Sequence, residues 1–123
     1  MRKRLLVADD DEETLALLAA TLDNQQAYEI LLARDGEQAL AIARQQKVDL
    51  VLLDVLMPRG NGYEVCSALK ADPATAEIKV VMLTVLAQAP DREKGRKAGA
   101  DGYFSKPFSP IGLLKRIEEL LST

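Results

Sequence analysis

Three stretches of this chain are almost continuously apolar, and each ends on a polar side chain. The polar residues at their ends are Asp9, Asp54 and Thr84. Short apolar runs rich in Val and Leu are typical of strands that are buried on both faces of a parallel sheet. The predicted strands cover residues 4–8, 50–54 and 79–84.

Between these runs, apolar residues recur at the three- and four-residue spacing of helices. Residues that favour the N-cap position precede four of the five predicted helices, and they are Asp11, Asp35, Asn61 and Ser109. The other predicted helix, over residues 90–98, has six charged residues and almost no apolar stripe. Its central glycine lowers helix stability by ~1 kcal/mol relative to Ala. We therefore expect this helix to be loosely held.

Two shorter strands, over residues 28–33 and 102–105, complete a series of five strands that alternates with five helices. A polar turn is expected over residues 23–27. The alternation predicts an α/β domain with right-handed crossovers and with helices on both faces of the sheet. The order of the strands does not follow from the alternation.

Five polar residues fall at the carboxyl ends of predicted strands: Asp9, Asp10, Asp54, Thr84 and Lys106. If their strands are neighbours, these residues share one crevice, because open α/β sheets bind ligands at that edge. Carboxylates ~4 Å apart repel each other by roughly 4 kcal/mol at an effective dielectric constant of 20. The crevice should therefore recruit a hard divalent cation such as Mg²⁺, which prefers oxygen ligands.

Length and composition narrow the class of protein. The 123 residues suffice for one domain, and a net charge of -3 argues against a nucleic-acid surface on it. No stretch is long enough for a membrane helix and the start turns acidic too early for a signal peptide, so we expect a cytoplasmic protein. Without His, the chain has no His base, His metal ligand or phosphohistidine. The lone Cys66 excludes an internal disulfide and suits a small core position.

Over its whole length, residues 1–123, the chain resembles a receiver domain of two-component response regulators, of the chemotaxis-regulator type. The resemblance rests on LLVADDD, on LLDVLMP followed by GNG, on MLT and on GADGYFSKPF. Each motif is weak alone, but this order and spacing are highly specific. The resemblance implies a flavodoxin-like (βα)5 fold with strand order 2-1-3-4-5.

The resemblance also implies a role for each residue of the crevice. Asp54 would be the phosphoacceptor, forming an aspartyl phosphate. Asp10, Asp54 and the backbone carbonyl of Leu56 would bind Mg²⁺ directly, and Asp9 would bind it mainly through a water. Lys106 and the Thr84 hydroxyl would stabilise the phosphoryl group.

The implied output is a conformational switch that couples Thr84 to Tyr103. It would be read on the face formed by the fourth helix, the fifth strand and the last helix. The implied partners are a sensor histidine kinase or phosphotransfer protein and an output domain beyond this chain, with neither nucleic acid nor membrane bound by this domain. The same face is a candidate homodimer surface, with Arg92, Arg96, Lys115 and Glu119.

Two alternatives to a phosphorylated switch remain open. A haloacid-dehalogenase-like phosphatase needs a second acid two residues after its nucleophile, but that position is Leu56, so a turnover enzyme is not expected. A receiver-like interaction module without phosphorylation stays open, because Val85 replaces a usually small residue and could crowd the phosphoryl pocket. In the family, Leu56 and Leu86 would flank the approach of the hydrolytic water. Since neither can hydrogen-bond a water, we expect a long-lived phosphoryl group.

Overall fold

The computed structural model describes residues 2–23, 28–86 and 88–122. Its five strands are β1 (Lys3–Ala8), β2 (Tyr28–Ala33), β3 (Leu50–Leu53), β4 (Lys79–Thr84) and β5 (Gly102–Ser105). Its five helices are α1 (Glu12–Asp23), α2 (Gly36–Gln45), α3 (Gly62–Ala71), α4 (Ala89–Ala98) and α5 (Pro110–Leu121). All strand pairs are parallel and the order is β2-β1-β3-β4-β5. This confirms the predicted flavodoxin-like fold.

The element boundaries differ from prediction by a residue at three ends. β1 begins at Lys3, β3 ends at Leu53 and α4 begins at Ala89. The predicted turn over residues 23–27 is wrong at Asp23, which is the last residue of α1, because no Gly or Pro before it ends the helix. Residues 24–27 lie outside the described residues.

The sheet is buried on both faces, which explains why its central strands are continuously apolar. Alternate strand residues such as Leu6, Val51 and Val80 pack with α2 and α3 in one core cluster. Their neighbours Leu5 and Leu52 pack with α1 and α5 in the other. Across the described residues, no helix is long and apolar enough to cross a membrane.

Helix α4 contributes least to these two clusters. Its buried residue is Gly95, and the rest of the helix is exposed or partly exposed. The helix ends at Gly99, which has a left-handed backbone with φ 102°. The expected lack of an apolar stripe is confirmed, although Ala98, the last residue of α4, packs against the first cluster.

The predicted N-caps are confirmed by hydrogen bonds from the first turns of their helices. Each capping side chain accepts a backbone N–H two or three residues later: Asp11 from Glu13 (3.2 Å), Asp35 from Gln38 (2.7 Å), Asn61 from Glu64 (3.0 Å) and Ser109 from Gly112 (3.2 Å). These bonds satisfy N–H groups that have no partner inside the helix.

The start of α3 lies directly against the end of β3. The Gly62 N–H donates to the Val55 carbonyl at 2.9 Å. A Cβ atom on Gly62 would lie 2.5 Å from the Asp54 carbonyl oxygen and 2.8 Å from the Val55 Cα. Only glycine permits this approach, which fixes the backbone of Asp54 against a helix.

Replacing Gly62 with Ala should therefore destabilise the protein, whereas Gly112→Ala should not. The clash at Gly62 is with backbone, and overpacking of this kind typically costs ~1–3 kcal/mol. A Cβ on Gly112 would meet only Ser109 atoms at 3.5 Å, so this control should gain roughly 0.5–1 kcal/mol of helix stability. Urea unfolding of both variants tests the difference. Equal stabilities would show that α3 can move away from Asp54 freely.

Candidate functional site

Three carboxylates meet at the carboxyl edge of the sheet. One oxygen from each of Asp9, Asp10 and Asp54 lies within 4.8 Å of the others. The register explains the meeting, because Ala8 of β1 pairs with Leu53 of β3 and each is followed by an Asp. Asp9 and Asp54 are buried, whereas Asp10 is exposed.

Lys106 lies between the two buried carboxylates. Its Nζ donates to Asp9 Oδ2 at 2.6 Å and to Asp54 Oδ2 at 2.9 Å. The residue directly follows β5, and its backbone N–H donates to the Thr84 carbonyl at 2.9 Å. The peptide bond that joins it to Pro107 is cis. β5 and β4 together thus hold the ammonium over the acids of β1 and β3.

The other oxygen of each buried carboxylate accepts a backbone N–H. Asp9 Oδ1 accepts from Asp11 at 2.9 Å, and Asp54 Oδ1 accepts from Leu56 at 3.2 Å. Each carboxylate is therefore oriented by the chain that follows it, with its second oxygen turned to Lys106.

The balance of charge in the crevice is negative, with three carboxylates against one ammonium. Burial raises the pKa of Asp9 above its ordinary value, despite the hydrogen bonds from Lys106 and Asp11. Burial opposes the charge on Lys106, but the hydrogen bonds to Asp9 and Asp54 outweigh it and raise the pKa of Lys106. The ammonium is therefore charged at neutral pH. A crevice with surplus carboxylate oxygens fits a hard divalent cation.

Thr84 is fully buried at the end of β4, the strand that lies between β3 and β5. Its Oγ1 accepts the backbone N–H of Leu86 at 3.3 Å. The hydroxyl thus holds the first residues of the loop that leads to α4.

Tyr103, the predicted partner of Thr84, is partly buried and packs against the cluster that α2 and α3 help to form. Its hydroxyl donates to the Leu86 carbonyl at 2.7 Å and lies 3.2 Å from the hydroxyl of Tyr63. Sequence reasoning missed Tyr63. The signal that could have found it is an aromatic with a polar tip on a helix, because such hydroxyls usually find a partner when buried.

Two of the three predicted flanking residues are large exposed apolar side chains. Leu56 is 51% exposed and Val85 is 61% exposed. Leu86 is only partly exposed and packs against the core. Their influence on the approach of water stays a prediction.

Comparison with known proteins identifies the family. The sequence model of the "Response regulator receiver domain" family matches residues 5–118. The response regulator PleD of Caulobacter vibrioides is 42% identical over 120 residues, which are 98% of this chain and 26% of that protein. The chain thus spans about a quarter of that relative, and it spans about half of several transcriptional regulators that it also matches.

Solved structures agree with this result. A putative response regulator from Chloroflexus aurantiacus has a TM-score of 0.95 and 32% identity, with all of both chains covered. The receiver domain of the sensor histidine kinase PA1611 from Pseudomonas aeruginosa has a TM-score of 0.91 and 26% identity, again over both whole chains, and holds a magnesium ion in its active site cleft. Because the family model covers most of the sequence and the strand order is the same flavodoxin-like one, this chain belongs to the receiver domain family of two-component response regulators.

Proposed function

We propose that this domain is a phosphorylation-activated switch in which Asp54 accepts a phosphoryl group from a sensor histidine kinase or a phosphotransfer protein. The observation that carries the proposal is the Lys106 ammonium, 2.9 Å from a buried Asp54 carboxylate at the edge of an acidic cluster. A carboxylate can act as a nucleophile toward phosphorus, and a neighbouring ammonium can stabilise the charge on the transferring phosphoryl group.

Mg²⁺ is the cofactor that best fits this donor set. Asp10, Asp54 and the Leu56 carbonyl would bind it directly, with Asp9 mainly through a water. When bound, the ion supplies positive charge to phosphoryl oxygens and reduces the repulsion among the carboxylates. The magnesium ion in the PA1611 receiver domain supports this choice.

In the proposed reaction, an Asp54 Oδ atom forms a bond to phosphorus while the bond from phosphorus to the donor's leaving group breaks. Asp54 thereby becomes an acyl phosphate, and Lys106 shifts its second hydrogen bond from Asp54 to a phosphoryl oxygen while Asp9 keeps the first. The Thr84 hydroxyl donates to another phosphoryl oxygen. Leu56 stands where a haloacid-dehalogenase-like phosphatase needs its second acid, so the domain is proposed to be a switch and not a turnover enzyme.

The alternative of an unphosphorylated interaction module is less well supported. It depends on Val85 crowding the phosphoryl pocket. The Val85 side chain is 61% exposed, and Lys106 still reaches both Asp9 and Asp54. Val85 is therefore better treated as a residue that narrows the entrance than as one that blocks it.

The proposed readout face consists of α4, β5 and α5, and it would contact an output domain or a second copy of the chain. Two of the charged residues proposed for the dimer surface, Arg96 and Glu119, pair with other side chains of the same chain. Arg96 pairs with Glu93, and the Arg116 and Glu119 side chains approach to 3.8 Å. These exposed pairs are weak, so a partner can exchange them for intermolecular ones.

Phosphorylation should occur at Asp54 alone. Mass spectrometry after treatment with acetyl phosphate and Mg²⁺ should show one labile phosphoryl group in the wild type and none in Asp54→Asn. Asp11→Asn is the matched control, because Asn also serves as an N-cap and the variant should keep the label. A label that persists in Asp54→Asn would refute the assignment.

The phosphoryl group should be long-lived, because Leu56 and Leu86 cannot position a water. A positioning or general-base group is typically worth ~10²–10⁴ in rate. Leu56→Asn, Leu86→Glu and Val85→Ala should each shorten the dephosphorylation half-life. Leu17→Asn is the control, since Leu17 is 55% exposed on α1 and should leave the half-life unchanged. A wild type that loses its phosphate within seconds contradicts the prediction.

Beryllofluoride with Mg²⁺, which imitates the phosphoryl group, should change amide exchange first in α4, β5 and α5. Mobile switch elements come from the less stable parts of a fold, and α4 lacks an apolar stripe. Exchange measured by mass spectrometry with and without the analogue tests this. Changes in amide exchange confined to α1 and α2 would contradict the proposed readout face.

A further inference from the structure

Two tyrosine hydroxyls meet where α3, β5 and α4 come together. The hydroxyl oxygens of Tyr63 and Tyr103 are 3.2 Å apart. Tyr103 donates to the Leu86 carbonyl at 2.7 Å, and Tyr63 can donate to the Asp91 carbonyl at 2.9 Å. Each hydroxyl can donate only one proton. Because Tyr103 donates its proton to the Leu86 carbonyl, the contact between the two hydroxyls needs the Tyr63 proton, which the Asp91 carbonyl also accepts. Tyr63 therefore connects α3 with both α4 and β5.

The Tyr103 ring occupies space that a missing side chain leaves in α4. A Cβ on Gly95 would lie 2.8 Å from two ring carbons of Tyr103, Cδ2 and Cε2, and 3.8 Å from Cε1 of Tyr63. The Arg92 guanidinium lies over the Tyr103 ring, 5.2 Å from its centroid. Gly95, which weakens α4 as a helix, is thus the residue that lets the ring lie beneath it.

The same contacts lead back to the phosphoacceptor site through one residue. Leu86 donates its N–H to the Thr84 hydroxyl and accepts the Tyr103 hydroxyl on its carbonyl. Movement of the Thr84 hydroxyl would therefore change the position of the Tyr103 acceptor. Burial and the Tyr63 hydroxyl raise the pKa of Tyr103, so it stays a proton donor at neutral pH.

We propose that Tyr63 is a positioning residue of the switch: with Gly95 it forms a latch that holds Tyr103 beneath α4 and couples α4 to Thr84. The inference rests on the proposed function, because it assumes that Thr84 responds to the phosphoryl group. Coupling between two sites is reciprocal. A latch that favours one position of Leu86 must therefore change the affinity for a phosphoryl analogue.

The first test uses the ligand-free protein. The chain has three tyrosines, so labelling their Cζ atoms with ¹³C gives a spectrum that single Phe variants assign. Tyr63→Phe should shift the Tyr103 signal and accelerate amide exchange in α4. Tyr28→Phe is the matched control, because Tyr28 packs in the cluster formed with α1 and α5 on the other face of the sheet.

Gly95→Ala provides an independent variant. Ala strengthens the helix itself, yet its methyl group should displace the Tyr103 ring, so this variant should also shift the Tyr103 signal. Gly112→Ala adds the same methyl group to α5, where it makes only ordinary contacts. This control should leave the Tyr103 signal unchanged. If the Tyr103 signal is unchanged in both Tyr63→Phe and Gly95→Ala, the latch is refuted.

The second test measures beryllofluoride affinity in the presence of Mg²⁺. A lost neutral hydrogen bond is worth about 1 kcal/mol, or roughly fivefold in affinity, so Tyr63→Phe should change the beryllofluoride affinity by up to about that factor. In a Thr84→Ala background, Tyr63→Phe should leave the beryllofluoride affinity unchanged. If the wild type binds and Tyr63→Phe binds equally well, the latch is only structural and the inference is wrong. If the wild type itself does not bind, the proposed function fails, and the coupling role of Tyr63 falls with it.

Discussion

The ion pairs from Lys106 to Asp9 and Asp54 are the interactions on which the rest of the site depends. Two buried carboxylates beside each other are unstable without a cation, because leaving a buried charge unpaired costs several kcal/mol. Lys106 supplies one positive charge from the far strand of the sheet. The edge of the sheet is thereby held together across β1, β3 and β5, while an excess of negative charge remains for a divalent cation. In the proposed reaction, the same ammonium can exchange its hydrogen bond to the Asp54 carboxylate for one to a phosphoryl oxygen.

The distribution of apolar contacts distinguishes α4 from the other four helices. Helices α1, α2, α3 and α5 each place several buried side chains against the sheet. Helix α4 places there the buried Gly95 and the partly buried Ala98, and it is also held by hydrogen bonds, including that from the Tyr63 hydroxyl to the Asp91 carbonyl. Neutral hydrogen bonds contribute about 1 kcal/mol each. We therefore expect movement of α4 to cost less free energy than movement of the other helices.

The sequence predicted the fold and the edge of the sheet at which Asp9, Asp10, Asp54 and Lys106 meet. The apolar runs before Asp9, Asp54 and Thr84 predicted the central strands because those strands are covered on both faces, and the N-caps followed from local hydrogen bonding. The strand order needed the family resemblance, since alternation does not fix it. The Tyr63 contact and the approach of Gly62 to Asp54 were not predicted, because they depend on where two elements distant in sequence are packed. Gly95 was interpreted only as a weakness of α4, and the sequence did not predict that its missing side chain leaves room for the Tyr103 ring.

Leu86 contacts Thr84 through its N–H and Tyr103 through its carbonyl, so both hydrogen bonds use backbone atoms. Any residue except proline could make them. In the proposed switch, the side chain at this position is therefore free to set how long the phosphoryl group lasts, while the backbone at the same position transmits the change to α4. Duration and transmission of the signal could then be altered independently by substitutions, even though one residue serves both.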